Sequence, residues 1–376
     1  MEKIKVLHFH IRNTNGGITR TAMKYWEHID KTQFQFGFAA CGKVKLDFED
    51  KIIQSGANVH YISCYAEEDA DKFALELRKI LWENRYDVIH LNTAWWRSCI
   101  AEKVAKEIGI KVILVHARSS GVEIQDNEKR LMEYERHQYI KSIFSKDMAT
   151  DYMACSKVAA DFLFGNQVPQ EEIVILHNAL DTNRFSYSKA KRDVMRKQLN
   201  IENCYVIGNV SRMSYAKNHI FLLDCFYEVQ KEITNTVLLL VGNGELRLDI
   251  EKRAETLGII DKIIFVGSVD DVENYLQAMD IFAFPSRFEG LGNVIIEAQA
   301  VGLRCVSSDN VPMETCITDN IEYLPLQKDL WVEKLIQLSE QYERKDMTQR
   351  IKDAGYDIHS EIKKLERIYL KALSVK

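Results

Sequence analysis

The chain has 376 residues, 46% of them hydrophobic, with 17 Gly and only 4 Pro: enough apolar material for two domains with separate cores, and too little bias for a disordered polymer. A formal charge of −5 offers no clustered cationic excess, which removes nucleic acid from the expected partners. Residues 1–10 lack the apolar core and cleavage site of a signal peptide, and no apolar run reaches membrane-spanning length, so the expected location is the cytoplasm.

Strand-length apolar runs fall at 5–10, 34–41, 58–63, 88–92, 112–117, 152–156 and 173–178. Amphipathic helical stretches such as 19–29, 69–82 and 123–144 separate most of them. Alternation of this kind predicts a parallel sheet with helices on both faces. After a polar stretch at 186–200 the rhythm restarts, with strands at 205–210, 236–241, 263–266, 281–285 and 304–307 and helices at 218–231, 245–257 and 272–279. The expectation is an α/β chain of two doubly wound, Rossmann-like domains, 1–190 and 191–357. In the last segment, 358–376, Ile358, Ile362, Leu365, Ile368, Tyr369 and Ala372 share one helical face, which caps the second domain or returns to pack on the first. The eight cysteines form no C-x-x-C pair and several sit in apolar strand patterns, which predicts reduced, buried thiols.

In open parallel sheets the ligand crevice lies at the carboxyl ends of the strands, so the residues that follow each strand are the candidates. After the first strand, Gly16 and Gly17 open a helix, where backbone N–H groups can approach a phosphate; a plain turn is the alternative. His116 ends the 112–117 strand and either faces the crevice, bonding a substrate hydroxyl or phosphate, or satisfies local backbone. Arg212 and Lys217 bracket the loop after 205–210; together they could neutralise a diphosphate, the alternative being solvated surface cations. Gly242 and Gly244, then Gly267 and Ser268, follow the next two strands and read as backbone lying close against a ligand such as a nucleobase. Within 285–309, Glu289 and the Gly290-Leu291-Gly292-Asn293 turn precede a helix carrying Glu297. That helix is apolar nearly all round, so Glu297 is expected to be buried and to need a partner: a ribose diol, or a buried Arg or Lys. No pair of histidines shows a metal-ligand spacing.

Glu289-Gly290-Leu291-Gly292-Asn293 with Glu297 resembles the E-x7-E motif of retaining glycosyltransferase family 4, whose fold is GT-B, two Rossmann-like domains facing a central cleft. Arg212 with Lys217 resembles that family's cationic pair, Gly16-Gly17 its glycine loop and His116 its first-domain histidine. Arg304 departs from the family, where many members carry proline. The resemblance implies that Arg212 and Lys217 bind the diphosphate of a nucleotide-sugar donor, a UDP-sugar above all, and that Glu297 holds the ribose and Glu289 the sugar hydroxyls. Backbone at Leu291, Gly292 and Asn293 would touch sugar or phosphate, Gly17 would close over the phosphates, and His116 would meet the transferred sugar. His116, Glu289, Arg212 and Lys217 are thus the expected catalytic set, with no metal and no cofactor.

The resemblance further implies hexosyl transfer to a glycan or polyprenyl-linked acceptor in cell-surface polysaccharide synthesis by bacteria. The run with Lys129, Arg130, Arg136, Lys141 and Lys146 suits a surface facing the anionic inner leaflet, whereas Glu128, Glu133 and Glu135 on the same run suit a merely solvated helix. Alternatives are another GT-B enzyme, a sugar phosphorylase or nucleotide-sugar epimerase, and a non-enzymatic glycan-binding protein.

Overall fold

The computed structural model describes residues 2–11, 17–42, 45–46, 48–340 and 342–374. The chain divides into two compact units, one of residues 1–122, 126–178 and 358–376, the other of 123–125 and 179–357.

The first unit runs β1 (Ile4–Phe9), α1 (Gly17–His28), β2 (Phe34–Cys41), α2 (Glu49–Gln54), β3 (Asn58–Ile62), α3 (Ala70–Glu83), β4 (Val88–Thr93), α4 (Ile100–Glu107), β5 (Val112–Ala117), α5 (Asn127–Ile143), β6 (Asp151–Ala154), α6 (Lys157–Leu163) and β7 (Ile173–Ile175). Its strands pair in parallel in the order β3-β2-β1-β4-β5-β6-β7. β4 and β5 are buried at every position, as continuous apolar runs covered on both faces must be. Side-chain caps start several helices: Asp69 accepts from Lys72 N–H, Asp126 from Lys129 N–H and Ser156 from Ala159 N–H.

The second unit runs α7 (Lys189–Gln198), β8 (Tyr205–Val210), α8 (His219–Glu232), β9 (Thr236–Val241), α9 (Arg247–Thr256), β10 (Ile263–Gly267), α10 (Val272–Ala278), β11 (Ile281–Phe284), α11 (Asn293–Ala300), β12 (Arg304–Ser308), β13 (Ile321–Leu324), α12 (Lys328–Gln337) and α13 (Thr348–Asp353). The sheet order is β10-β9-β8-β11-β12-β13, again parallel throughout. Its core centres on Phe226, Leu238, Leu240, Ile281 and Trp331, all at most 1% exposed. The stretch 186–200, which reads as a polar linker, contains α7; arginines hold it in place of apolar side chains. Arg192 donates to the carbonyls of Gln277 (2.9 Å) and Met279 (2.6 Å), and Arg196 to that of Ala278 (2.8 Å), capping the carboxyl end of α10.

The chain then returns to the first unit as α14 (Ile358–Leu370), which buries Ile358, Ile362, Leu365, Ile368 and Tyr369. The cysteines are free thiols, but only Cys99, Cys155, Cys225 and Cys305 are buried; Cys41, Cys64 and Cys204 are half-buried and Cys316 is exposed, so the expected burial holds for half of them.

Candidate active site

Each sheet reverses its strand order once, between β1 and β4 in the first and between β8 and β11 in the second. Connections leave a crevice at such a switch point, outside the carboxyl ends of the strands. The candidate residues are therefore best judged by which of them reach those two edges.

In the second unit the loop after β8 and the loop after β11 are tied into one structure. Arg287 N–H donates to the Ala216 carbonyl (2.7 Å), and its Nη2 donates to Asn218 Oδ1 (2.7 Å). Asn218 caps α8 in the left-handed region, φ 57°, which few residue types tolerate as well as Asn. This brings Lys217 Nζ onto Glu289 Oε1, an ion pair whose side chains are 19% and 8% exposed, with the ammonium 5.5 Å from the Phe284 ring centre. The residues assigned to phosphate and to sugar thus hold each other in this structure. Arg212 is half-exposed and donates through Nε to Glu245 Oε2 (3.1 Å), a weak, solvated pair. Behind them Ser211 Oγ donates to Asn209 Oδ1 (2.6 Å), which leaves it to accept from His219 Nε2 (3.1 Å). Burial, then the charge of Lys217, push the His219 imidazole down to about 3, so it is neutral.

One expectation needs correction, the burial of Glu297, and two of the candidate glycines have a structural duty. Gly242 and Gly244 serve the protein's own backbone: a Cβ on Gly242, φ +131°, would stand 2.1 Å from the Ser211 carbonyl oxygen, and one on Gly244 2.4 Å from that of Met213. Gly242 also donates its N–H to the Gly267 carbonyl (2.8 Å), so these glycines pack the loops after β8, β9 and β10 against one another. Glu297 is half-buried: Ile295, Ile296, Ala298, Gln299 and Ala300 fill the buried face of α11, and Glu297 shares the other with Val294. Gly292 caps that helix at φ +87°, and Leu291 is buried, leaving only its backbone for a ligand. Ser268 is exposed. Ser286 Oγ and Asn293 Oδ1 are buried at this edge without a hydrogen-bond partner. Ser286 was legible only as a polar residue directly after the 281–285 strand.

In the first unit His116 does not line an open crevice. It is fully buried, its Nδ1 lies 3.0 Å from His90 Nε2, and its Nε2 lies 3.1 Å from Arg118 Nη1. Burial, then Arg118, hold it well below the usual imidazole range. The chain continues from His90 Nδ1 to Tyr369 Oη (2.6 Å) and from Tyr369 Oη to His8 Nε2 (3.2 Å). The His116 at a strand end is the inner member of a buried polar chain, and a direct contact with sugar would need that chain to open. Gly17 is the exposed first residue of α1, and Gly16 lies outside the described residues.

The switch point of this sheet instead holds a cavity of about 570 Å³ walled by His10, Tyr65, Asn92, Thr93, Trp95 and Arg97, among others. Arg97 pairs with Glu67 (3.3 Å) and Glu133 (3.0 Å), and Trp95 Nε1 donates to Glu133 (3.1 Å). Asn92 Oδ1 is buried there without a partner. Sequence reasoning passed over Asn92 to Arg97; the signal was two tryptophans and an arginine directly after a strand. Among the described residues no group of three or more His, Cys, Asp or Glu side chains is arranged to hold a metal ion.

Residues 191–357 match the family described as Glycosyl transferases group 1. The glycosyltransferase EpsF of Bacillus subtilis is 27% identical over 319 residues, 82% of this chain and 79% of that one. The UDP-Gal:alpha-D-GlcNAc-diphosphoundecaprenol alpha-1,3-galactosyltransferase of Escherichia coli is 23% identical over 330 residues, 85% of this chain and 82% of that one. Among solved structures, Anabaena HepE in complex with UDP and glucose superposes with a TM-score of 0.75 at 17% identity, covering 99% of this chain and 100% of that one, a likeness of fold.

Proposed function

We propose that this chain, whose residues 191–357 match the glycosyl transferases group 1, is a glycosyltransferase that moves a hexosyl group from UDP-sugar to a glycan or polyprenyl-linked sugar, with retention, in cell-surface polysaccharide synthesis. The observation that carries the reading is the junction of the loops after β8 and β11, which joins Lys217 to Glu289 at the switch point, with Arg212 on the same loop and Glu297 on the helix beyond. The names of the Escherichia coli relative and of the Anabaena complex support UDP as the nucleotide and a diphospholipid-linked sugar as the acceptor class.

In this reading the diphosphate displaces Glu289 from Lys217 and draws Arg212 from Glu245. Either exchange replaces a carboxylate partner with a phosphate, so neither cation is left bare. Glu289, released, accepts hydroxyls of the sugar. Glu297, on the half-open face of α11, accepts the ribose diol, and the amino end of α11 faces the phosphate charge. The bond from the anomeric carbon to the β-phosphate breaks while the acceptor oxygen bonds to that carbon on the same face, its proton passing to the departing phosphate oxygen. Lys217 and Arg212 stabilise the charge that UDP gains, and no obligatory metal takes part.

Peripheral contact with the inner face of the membrane belongs to the same proposal. The 17-residue α5 buries only His137, and Leu131, Met132, Tyr134, Tyr139 and Ile143 are exposed on it beside Lys129 and Arg130. Apolar and aromatic side chains interleaved with cations are what an interfacial helix needs. No helix among the described residues is long and apolar enough to cross a membrane.

The test is a thermal-shift screen over UDP, GDP and ADP, followed by NMR of the product formed from the UDP-sugar that stabilises most. UDP is expected to raise the midpoint most and the product to keep the α-configuration of the donor. A preference for another base, or an inverted product, overturns the donor and stereochemical assignments. Co-sedimentation with vesicles containing anionic lipid, lost in Tyr139→Glu, tests the membrane contact.

A further inference from the structure

The polar chain of the first unit has a direction, and Arg118 sets it. A guanidinium can only donate, so His116 Nε2 accepts from Arg118 Nη1. Neutral His116 must then carry its proton on Nδ1 and donate it to His90 Nε2; His90 donates through Nδ1 to Tyr369 Oη, and Tyr369 donates its hydroxyl proton to His8 Nε2. Every tautomer follows from the first bond. Burial keeps the three imidazoles neutral, each held far below its ordinary value.

At the head of this chain stands a cation with an unfilled hand. Arg118 is 8% exposed; its Nη1 is used twice, on His116 and on Asn178 Oδ1 (3.1 Å), and its buried Nη2 meets no acceptor at full hydrogen-bond geometry, the Tyr25 hydroxyl being the neutral group it approaches. Among the described residues no carboxylate forms an ion pair with it. Glu361, whose charge is felt at the neighbouring Tyr25, is occupied by Lys364 and by the His177 backbone N–H (2.9 Å). Tyr25, whose ring centre lies 5.9 Å from the guanidinium, feels Arg118 both as a charge and as a hydrogen-bond donor, yet its buried hydroxyl meets no partner at full hydrogen-bond geometry. A buried charge without a counter-charge is costly, and a fixed fork whose Nη2 faces only a neutral phenol suits an oxyanion. Arg118 stands directly after β5, at the carboxyl edge where ligands of parallel sheets bind.

We propose that Arg118 is the residue of the first unit that binds substrate, through an oxyanion of the acceptor, and that His116, His90, Tyr369 and His8 are positioning residues that lock its guanidinium in place. The proposal rests on the glycosyltransferase reading. Two acceptor groups have this chemistry: the phosphate of a lipid carrier and the carboxylate of an acidic sugar. Tyr25 Oη is placed to serve the same oxyanion.

The test is calorimetric titration of the full chain with farnesyl diphosphate, methyl glucuronide and the neutral methyl glucoside. At least one anion is expected to bind about tenfold or more tightly than the glucoside, the worth of a charge-assisted fork. Preference for farnesyl diphosphate identifies the lipid carrier as the source, and preference for the glucuronide identifies the sugar. Arg118→Met should abolish the preference. Arg118→Lys, which keeps charge without the fork, should retain a part of it and serves where the methionine variant does not fold. Tyr369→Phe should weaken the preference severalfold while leaving glucoside binding unchanged, which a merely structural role would not do. Equal binding of anions and glucoside by the wild-type chain, or a preference that survives intact in Arg118→Met or Arg118→Lys, overturns the proposal. UDP stabilisation of the wild-type chain in the same buffer keeps the two failures apart: if it is present, only the role of Arg118 falls; if absent, the glycosyltransferase reading falls with it.

Discussion

The ligand-side edges of the two sheets share a topology and are built on opposite electrostatic plans. The second unit sets charges in pairs that a ligand can exchange: Lys217 with Glu289 and Arg212 with Glu245, the latter half in water. The first unit sets neutral imidazoles in a dry line behind one arginine, where nothing can be exchanged without unsatisfying the next member. One edge is suited to seizing and releasing a multiply charged group. The other is suited to holding one donor still.

Acid should separate the two most. In the first unit burial lowers His8 to about 3 and His137 to about 4, with His90 and His116 also far below the ordinary value; His219 is the one histidine of the second unit. The unfolded chain protonates these groups near 6.5 and the folded chain does not, so their stabilisation is complete above pH 6.5 and declines as pH falls from there toward 3. Each can cost up to about 1.4 kcal/mol per pH unit, and the first unit carries five of them, His60 included, against one; Glu102, a buried carboxyl raised to about 7, acts in the opposite sense and offsets one of the five. Urea midpoints read by pulse proteolysis in each unit should therefore diverge between about pH 7 and pH 5.5, the first unit falling further. Parallel decline would break the contrast.

Next in size, Lys217→Met should lower turnover by about 10²–10³-fold, the usual worth of a group that stabilises leaving-group charge. It also strands Glu289, so adding Glu289→Gln should restore stability and leave turnover low. Recovery of both would make the pair structural. Tyr369→Phe should destabilise the chain by about 1–3 kcal/mol in urea, because His90 loses its acceptor and His8 its donor. A neutral result would mean that the line is not coupled. The smallest effect belongs to Glu245→Gln: a stability change under about 0.5 kcal/mol, since its pair with Arg212 is solvated. UDP affinity should hold or rise slightly, and a tenfold loss would show that Glu245 itself binds donor.

The doubly wound pattern was legible because buried parallel strands are continuous apolar runs; β5 and β9 stand where 112–117 and 236–241 were expected. α7 was not, because arginine-to-carbonyl bonds leave no apolar periodicity to read. β13 was missed for the opposite reason: it is a four-residue edge strand with one buried position. Lys217 and Glu289 stood out as candidates through their place after strands and the motif they resemble, whereas their pairing with each other was not legible. His116 stood out as a histidine at a strand end, yet the polar chain it belongs to runs through His90 to Tyr369, which arrives 253 positions later in the chain and is invisible to any local pattern. The structural duty of Gly242 and Gly244 was hidden for a similar reason: a glycine that admits a ligand and one that admits a neighbouring carbonyl look alike in sequence.

The return of α14 imposes an order on biosynthesis. Tyr369 leaves the ribosome only after all of residues 179–357, so β1, β4 and β5 must wait, with His8 and His90 unsatisfied, while the whole second unit is made. The domain begun first is the one completed last, against the usual amino-terminal-first sequence of folding. During that interval the nascent first sheet lacks the helix that covers Phe34 and Phe36.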